Sequence, residues 1–127
     1  MLLDSNIIIY SAQPENAQLR AFIAEHTPAV SALSYLEVLG YHRLTEQQRQ
    51  YFEEFFQLAQ VLPIAQDVLT QAATLRQQRR MTLGDAVIAG TALVYELILI
   101  TRNVDDFRWI TELNLLNPFD DDKSGAV

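Results

Sequence analysis

Four acidic side chains stand in short apolar segments that lie far apart in the sequence. They are Asp4, Glu37, Asp85 and Asp106. Carboxylates are rarely buried unless they are paired or coordinate a cation, so acids set against apolar segments need an explanation. A divalent ion provides one, because Mg²⁺ and Mn²⁺ prefer oxygen ligands. The pattern therefore predicts a carboxylate metal centre.

Each acid also has an ordinary structural role that it could play alone. Asp4 could be the N-cap of a following helix, and Asp85 could interact favourably with the helix dipole in the first turn of its helix. Glu37 could lie on the polar face of a helix, and Asp105 and Asp106 could be loop acids. Each of these roles could explain one acid on its own. Four such acids in a chain of alternating strands and helices nevertheless favour a common site.

The elements that must position these acids alternate between strands and helices. Strands are predicted over residues 1–4, 28–31, 61–64, 97–101 and 115–117. Helices are predicted over residues 15–25, 33–43, 45–58, 65–79 and 84–95, with Thr45 as an N-cap. The alternation predicts an α/β fold, with a short, mainly parallel sheet of about five strands and helices on both faces. Ligands gather at the carboxyl ends of such strands, where Asp4 and Asn103 fall.

Length and composition indicate one globular domain. The chain has 127 residues, of which 50% are hydrophobic, and no apolar run long enough to span a membrane. We expect a domain over residues 1–119, an acidic, disordered tail over residues 120–127, no membrane association and a cytoplasmic location. The absence of cysteine excludes disulfides, thiolate metal sites and thiol nucleophiles.

The formal net charge of −7 argues against a nucleic-acid partner, but its distribution weakens that argument. Acidic residues 120–122 fall in the predicted tail, and four more acids belong to the proposed site, where a cation would offset them. Arg76, Arg79 and Arg80 gather just before Asp85. They could face the phosphates of a substrate, or they could be the solvated C-terminal turn of a helix.

Other catalytic chemistries find little support. His26 and His42 lie away from every motif, so a histidine base is not expected and both should be surface residues. A phosphoaspartyl hydrolase or receiver domain commonly needs a lysine, and Lys123, the sole lysine, lies in the predicted tail. No nucleotide-binding G-K-[ST] motif occurs.

Five motifs occur in a specific order: LLDSN at the start, the helical Glu37, LGDAVIAGTAL, TRNVDDF and the closing LLNPF. In order and spacing they resemble the PIN-domain ribonucleases, and most closely the VapC toxins of toxin–antitoxin pairs, from residue 1 to about residue 119. Ser5 stands where many members have threonine, and Asn103 where some have a fourth aspartate. The resemblance therefore assigns the fourth acid to Asp106, although the neighbouring Asp105 leaves the register open.

The resemblance implies a PIN-like fold and a metal-dependent endoribonuclease that uses Mg²⁺ or Mn²⁺. Asp4 and Asp85 would contact the metal, and Glu37 and Asp106 would hold a second ion or orient its waters. The supporting groups would be Ser5, Asn6, Thr101 and Asn103. The implied partners are an RNA substrate, a cognate antitoxin and a second copy of the chain in a homodimer.

The alternative function is a catalytically idle PIN fold that acts only by binding protein or RNA. Intact acids at Asp4, Glu37 and Asp85 argue against it. One further feature concerns partners, an aromatic stripe formed by Tyr51, Phe52, Phe55 and Phe56. Core packing should account for two of these rings, and the others could form a groove for an amphipathic helix.

Overall fold

The computed structural model of the chain describes residues 1–120. Five strands occur there: β1 Leu2–Leu3, β2 Ala29–Ser31, β3 Val61–Leu62, β4 Leu99–Ile100 and β5 Leu115–Leu116. Seven helices of the described part surround them: α1 Ser5–Ser11, α2 Ala17–His26, α3 Ala32–Leu39, α4 Glu46–Leu58, α5 Gln66–Gln78, α6 Leu83–Val94 and α7 Val104–Phe107. The predicted alternation of strands and helices is therefore confirmed.

The five strands form one sheet in the order β3-β2-β1-β4-β5, and every neighbouring pair is parallel. In the centre, Leu3 of β1 is in register with Val30 of β2 and Ile100 of β4. The chain leaves β1 first towards one edge of the sheet and later returns to fill the other. A crevice at the carboxyl ends of β1 and β4 follows from this change of direction, and such crevices are where α/β sheets bind ligands.

Both faces of the sheet are covered, because successive side chains of a strand point to opposite faces. Leu2 packs in a core with Leu75 of α5 and Ile88 of α6. Leu3 packs in a second core with Ile8 of α1 and further residues of α2, α3 and α4. The predicted α/β architecture, with helices on both faces of a short parallel sheet of five strands, is confirmed.

The aromatic stripe of α4 divides as expected. Phe52 and Phe56 are buried in the second core, whereas Tyr51 and Phe55 are partly buried at its margin. The start of the helix is also as predicted. Thr45 is the N-cap, its hydroxyl accepts the Gln48 N–H, and the Gln48 side chain accepts the Thr45 N–H in return.

Two helices were not predicted. Helix α1 contains three consecutive isoleucines, a composition more typical of strands, but burial of Ile7 and Ile8 against the sheet favours the helix. Asp4 occupies the N-cap position of α1, yet its side chain forms no capping hydrogen bond. Helix α7 is a single turn in a segment that the sequence analysis assigned to a loop.

Several predicted elements end earlier or begin later than expected. Strand β4 begins at Leu99 because α6 ends in a Schellman motif, in which Glu96 is left-handed and the Leu97 N–H donates to the Ala92 carbonyl. Strand β3 stops at Leu62, directly before Pro63, which has no N–H to donate.

The sequence predicts an acidic, disordered tail over residues 120–127. Of the predicted tail, only Asp120 belongs to the described residues, and residues 121–127 lie outside them. No helix within residues 1–120 is long and apolar enough to cross a bilayer.

Candidate functional site

Asp4 is the first acid of the site and lies at the carboxyl end of β1. Asp4 is only 6% exposed to solvent, so its carboxylate needs partners inside the fold. The Thr101 hydroxyl, at the end of the neighbouring strand β4, donates to Asp4 Oδ2 at 2.9 Å. The Asn103 backbone N–H donates in turn to Thr101 Oγ1 at 3.0 Å. This chain of hydrogen bonds fixes the direction in which the Asp4 carboxylate faces.

Glu37 is held by serines on two elements. The Ser5 hydroxyl at the start of α1 donates to Glu37 Oε1 at 2.6 Å. Ser5 Oγ also lies 2.8 Å from Ser34 Oγ, and because a hydroxyl has one proton to give, Ser34 must be the donor to Ser5. Ser34 is fully buried one turn before Glu37 on α3. The network therefore joins α1 and α3 beneath the Glu37 carboxylate.

Asp85 lies in the first turn of α6, close to Glu37. The Thr82 hydroxyl caps this helix by accepting the Asp85 N–H at 3.1 Å. Gly84, which lies between Thr82 and Asp85 in the sequence, allows α3 to approach closely, since a Cβ added there would lie 2.7 Å from Glu37 Oε2. A side chain at this position would push Glu37 away from the start of α6.

The ionisation of the acids ties them into one electrostatic unit. Burial raises the pKa of Asp4 above its usual range; hydrogen bonds from Thr101 and Ser5 oppose this, and the charges of Asp85 and Glu37 add to it. The pKa of Asp85 is likewise raised, first by burial and then by the charge of Asp106. Asp85 therefore lies within electrostatic range of each of the other three acids, and this links all four.

The four acids differ in their surroundings more than the sequence suggests. Asp4 is buried and Asp85 is partly exposed, whereas Glu37 and Asp106 are exposed. The apolar sequence settings of Glu37 and Asp106 therefore do not lead to burial of their side chains. On α3 it is Val38 that faces the core, so Glu37 points towards the rim of the crevice.

An open cavity of about 560 Å³ is lined by two of the four acids, Asp85 and Asp106, but not by Asp4 or Glu37. Its charged lining consists of Asp85, Asp105, Asp106, Arg76, Arg79 and Arg80. The Arg76 Nε–H donates to the Met81 carbonyl at 3.1 Å, and the Arg79 guanidinium lies over the Trp109 ring, 5.5 Å from its centroid. Within residues 1–120, no carboxylate lies at ion-pair distance from Arg76, Arg79 or Arg80. These cations are thus exposed at the end of α5, and they also face the acidic site.

The remaining predicted residues have smaller roles in this geometry. The side chains of Asn6 and Asn103 are exposed and form no hydrogen bond with other described residues, although the Asn103 backbone supports Thr101. His26 and His42 are exposed, as predicted, and neither lines the cavity.

Four residues of the site were missed by the sequence analysis. Three of them, Thr82, Gly84 and Trp109, contact the predicted acids or line the same cavity. The fourth, Ser34, contacts Ser5, which in turn donates to Glu37. Two carried a usable signal. Ser34 precedes Glu37 by one helical turn, and Thr82 stands three residues before Asp85, the spacing of an N-capping pair. The roles of Gly84 and Trp109 depend on residues that are distant in sequence.

The donor chemistry of these acids fits a divalent ion. Among residues 1–120, no three acidic or histidine side chains converge as the ligands of one ion. Mg²⁺ needs no such cage, because it is usually bound through one or two carboxylates and keeps several waters. Asp4 and Asp85 could supply that pair, and a cation beside them would oppose the burial and like charge that raise their pKa values.

Residues 1–113 match the family profile described as the PIN domain. Among solved structures, the chain is similar to a toxin–antitoxin complex from Klebsiella pneumoniae, with 29% identity, a TM-score of 0.74 and coverage of 93% of this chain and 97% of that one. It is also similar to VapBC-1 from nontypeable Haemophilus influenzae, with 25% identity, a TM-score of 0.74 and coverage of 92% and 96% respectively.

The fold is also shared with DNA-bound VapBC from Salmonella typhimurium, at 19% identity and a TM-score of 0.81, over 92% of this chain and 96% of that one. No curated protein sequence matches the chain at a significant level. These matches confirm the PIN-like fold, and since the profile covers most of the sequence, this chain belongs to the PIN-domain family.

Proposed function

We propose that the chain is a metal-dependent endoribonuclease that hydrolyses RNA phosphodiester bonds, and that it is the toxin of a toxin–antitoxin pair. The main support is the buried Asp4 carboxylate, which shares its crevice with Asp85 and has a raised pKa. Such perturbed carboxylates in a crevice are typical of functional sites. PIN domains generally use divalent metal ions, which agrees with this donor set.

The proposed metal ligands are Asp4 and Asp85, with Glu37 and Asp106 holding a second ion or orienting metal-bound waters. The ion would be Mg²⁺ or Mn²⁺. When bound, it would lower the pKa of a water so that the water can attack the phosphodiester, and it would neutralise charge that develops on the phosphate.

The neighbouring hydroxyls would set the orientation of these carboxylates. Thr101 donates to Asp4 Oδ2, and a ligand would bind Asp4 through Oδ1. Ser5 occupies Glu37 Oε1 and leaves Oε2 beside Gly84. Because each carboxylate keeps one oxygen committed to the protein, little rotational freedom would be lost when the site is loaded. Asn6 and Asn103 would serve as further hydrogen-bonding groups once RNA is present.

The RNA backbone would be bound by Arg76, Arg79 and Arg80. They line the same cavity as Asp85 and Asp106 and have no carboxylate partner in the described part of the chain. Guanidinium groups that have no ion-pair partner bind phosphate well because they present several donors in a planar fork. The acidic net charge of the chain would therefore not prevent local binding of RNA.

The proposed protein partners are a cognate antitoxin and a second copy of the chain in a homodimer. The similar proteins from Klebsiella pneumoniae and Haemophilus influenzae were solved as toxin–antitoxin and VapBC complexes. We propose that the pair operates in the cytoplasm. The alternative is an idle PIN fold that binds RNA or protein without cleaving it.

Incubation with total cellular RNA and Mg²⁺, followed by mapping of the new ends, tests this function. Water rather than a ribose 2′-hydroxyl is the proposed nucleophile, so we expect discrete cleavage without 2′,3′-cyclic phosphate ends. A 2′-deoxynucleotide placed at a mapped site should still be cleaved. Cyclic phosphate ends would contradict the proposed reaction, and RNA binding without any cleavage would favour the idle module.

The register of the fourth acid can be tested with a matched pair of variants. The charge of Asp106 raises the pKa of Asp85, whereas Asp105 forms an ion pair with Arg108 at 3.1 Å. We therefore expect Asp106→Asn to slow cleavage about tenfold or more, and Asp105→Asn to change it far less. Single-turnover rates on one mapped RNA would measure the difference, and the reverse order would move the site by one residue.

A further inference from the structure

Trp109, the single tryptophan of the chain, lies in the cavity beside the acids and has no place in the reaction described above. It is partly buried, and one part of it packs against the first core. Its indole N–H donates to the Asp106 carbonyl at 3.2 Å. The ring is thus fixed to the same backbone segment that carries the fourth acid.

The Arg79 guanidinium lies over one face of this ring. The guanidinium carbon lies 5.5 Å from the ring centroid, a cation–π contact with no accompanying ion pair in the described residues. Arg79 follows the last turn of α5 and is exposed, so its side chain can move from the ring. Such a contact at an exposed site contributes little stability, so another planar group can replace the arginine or stack beside it.

We propose that Trp109 and Arg79 form a stacking site for one unpaired base of a single-stranded RNA, next to the acids. The inference rests on the proposed nuclease function and adds a base-binding subsite to it. Proteins that bind single strands combine aromatic rings, on which bases stack, with cations that bind the backbone. Here Trp109 supplies the ring, while Arg76 and Arg80 line the same cavity and supply the cations.

The conformation of the substrate follows from this geometry. Bases inside a duplex are paired and stacked on one another, so they present edges in the grooves but no free face. A base must leave the stack to lie on Trp109, which points to loops, bulges and unpaired ends. The cavity, at about 560 Å³, lies within the range of roughly 300–1,000 Å³ of sites that bind small molecules.

A protein segment is the competing occupant of this cavity. An arginine from such a segment could stack on Trp109 and pair with Asp106. The three arginines and three aspartates of the lining balance one another, so net charge does not choose between the two occupants. The Arg79 guanidinium already lies over the Trp109 ring, however, so a second arginine stacked there would meet a like charge, whereas a neutral base would not. The position of Arg79 therefore favours RNA.

The fluorescence of the single tryptophan tests the proposal directly on the unmodified chain. The protein would be titrated in EDTA, so that no cleavage occurs, with a short single-stranded RNA, an abasic oligomer with the same number of phosphates, and an RNA duplex of equal length. We expect quenching by the single-stranded RNA, and little by the abasic oligomer or the duplex. Equal quenching by the abasic oligomer, or no binding of single-stranded RNA, would overturn the proposal, as would quenching by an arginine peptide alone.

Variants test the same site in a second way. Loss of the ring in Trp109→Leu should weaken binding of the single strand about tenfold or more, and Trp109→Phe should restore most of it. Circular dichroism would establish that both variants fold. Arg79→Ala should also weaken binding, whereas Arg43→Ala, which removes an equal charge outside the cavity, should not. Equal binding by the leucine and phenylalanine variants would exclude base stacking.

Binding without metal and cleavage with metal separate the two proposals. If cleavage fails but the fluorescence response to bases persists, the nuclease proposal is wrong and the stacking site stands as part of an RNA-binding module. If cleavage proceeds but the response depends on phosphates alone, the stacking site is wrong and the nuclease proposal stands.

Discussion

Asp85→Asn should lower the rate of RNA cleavage by about a hundredfold or more, while the fold persists. The substitution keeps the shape of the side chain and removes one ligand charge. The cap of α6 should survive, because it is the Asp85 backbone N–H that donates to Thr82. The cost in helix stability should stay near the 0.3–1 kcal/mol of a first-turn charge, about the size of the dipole effect. Single-turnover cleavage and circular dichroism measure the two effects separately.

Asp67 provides a matched control for this variant. It is an exposed acid in the first turn of α5, so it has the same relation to a helix dipole, but it does not line the cavity. Asp67→Asn should therefore leave cleavage unchanged. If Asp85→Asn also retained most of the activity, Asp85 would be a helix-dipole residue and the proposed metal centre would be wrong.

The thermal stability of the chain should depend jointly on Mg²⁺ and pH. Two unit charges about 5 Å apart, at an effective dielectric constant near 20, repel by roughly 3 kcal/mol, so clustered carboxylates resist ionising together. Burial and like charge raise the pKa values of both Asp4 and Asp85 above the ordinary value of 3.8. Each therefore binds its proton more tightly in the folded chain than in the unfolded chain.

The direction of the pH effect follows from that difference. The stabilising protonation is fully present below the ordinary carboxylate pKa, and its contribution is lost as pH rises from there through the raised pKa values. Metal-free protein should thus be less stable at pH 8 than at pH 5 from these two groups. Mg²⁺ binds the ionised, folded site and should stabilise it by about 2.7 kcal/mol at a hundred times its Kd. We expect a larger rise in Tm with Mg²⁺ at pH 8 than at pH 5.

Thermal melts of the Asp85→Asn variant test the same electrostatic effect independently. Removal of one charge relieves repulsion on Asp4 and Glu37, and this relief should offset the small loss of helix-dipole stabilisation. The metal-free variant should therefore be as stable as the wild type or more stable at pH 8. Its Tm should respond less to Mg²⁺. If the wild type gained nothing from Mg²⁺ and the variant were less stable without metal, the carboxylates would not form one cluster.

Local signals account for most of the fold that the sequence predicted. Strands β1 and β4 are short pairs of leucine and isoleucine residues followed by polar residues. Helix α4 follows an N-cap threonine that has a glutamine three residues later. Helix α1 escaped prediction because its β-branched isoleucines favour strands locally. Only the burial of Ile7 and Ile8 in the second core makes the helix favourable, and that contact is tertiary.

The site divides in the same way. Asp4 and Asp85 could be found because acids rarely follow or enter apolar segments without a reason. Two of their supports, Ser5 and Thr101, could be named only through the family resemblance, because their contacts join residues that are far apart in the chain. Thr101 contacts Asp4 across 97 positions, and Ser34 contacts Ser5 across 29. Trp109 gave no signal at all, since its meaning comes from Arg79 above it and the cavity around it.

Removal and return of the divalent ion during RNA cleavage tests the proposed mechanism most directly. Purified protein would be incubated with one mapped single-stranded RNA, first with Mg²⁺, then with excess EDTA, and finally with Mg²⁺ or Mn²⁺ restored beyond the chelator. Circular dichroism in EDTA would establish that the protein remains folded. We expect cleavage to stop in EDTA and to return with either ion. Undiminished cleavage in excess chelator would contradict a reaction that depends on a metal held by Asp4 and Asp85.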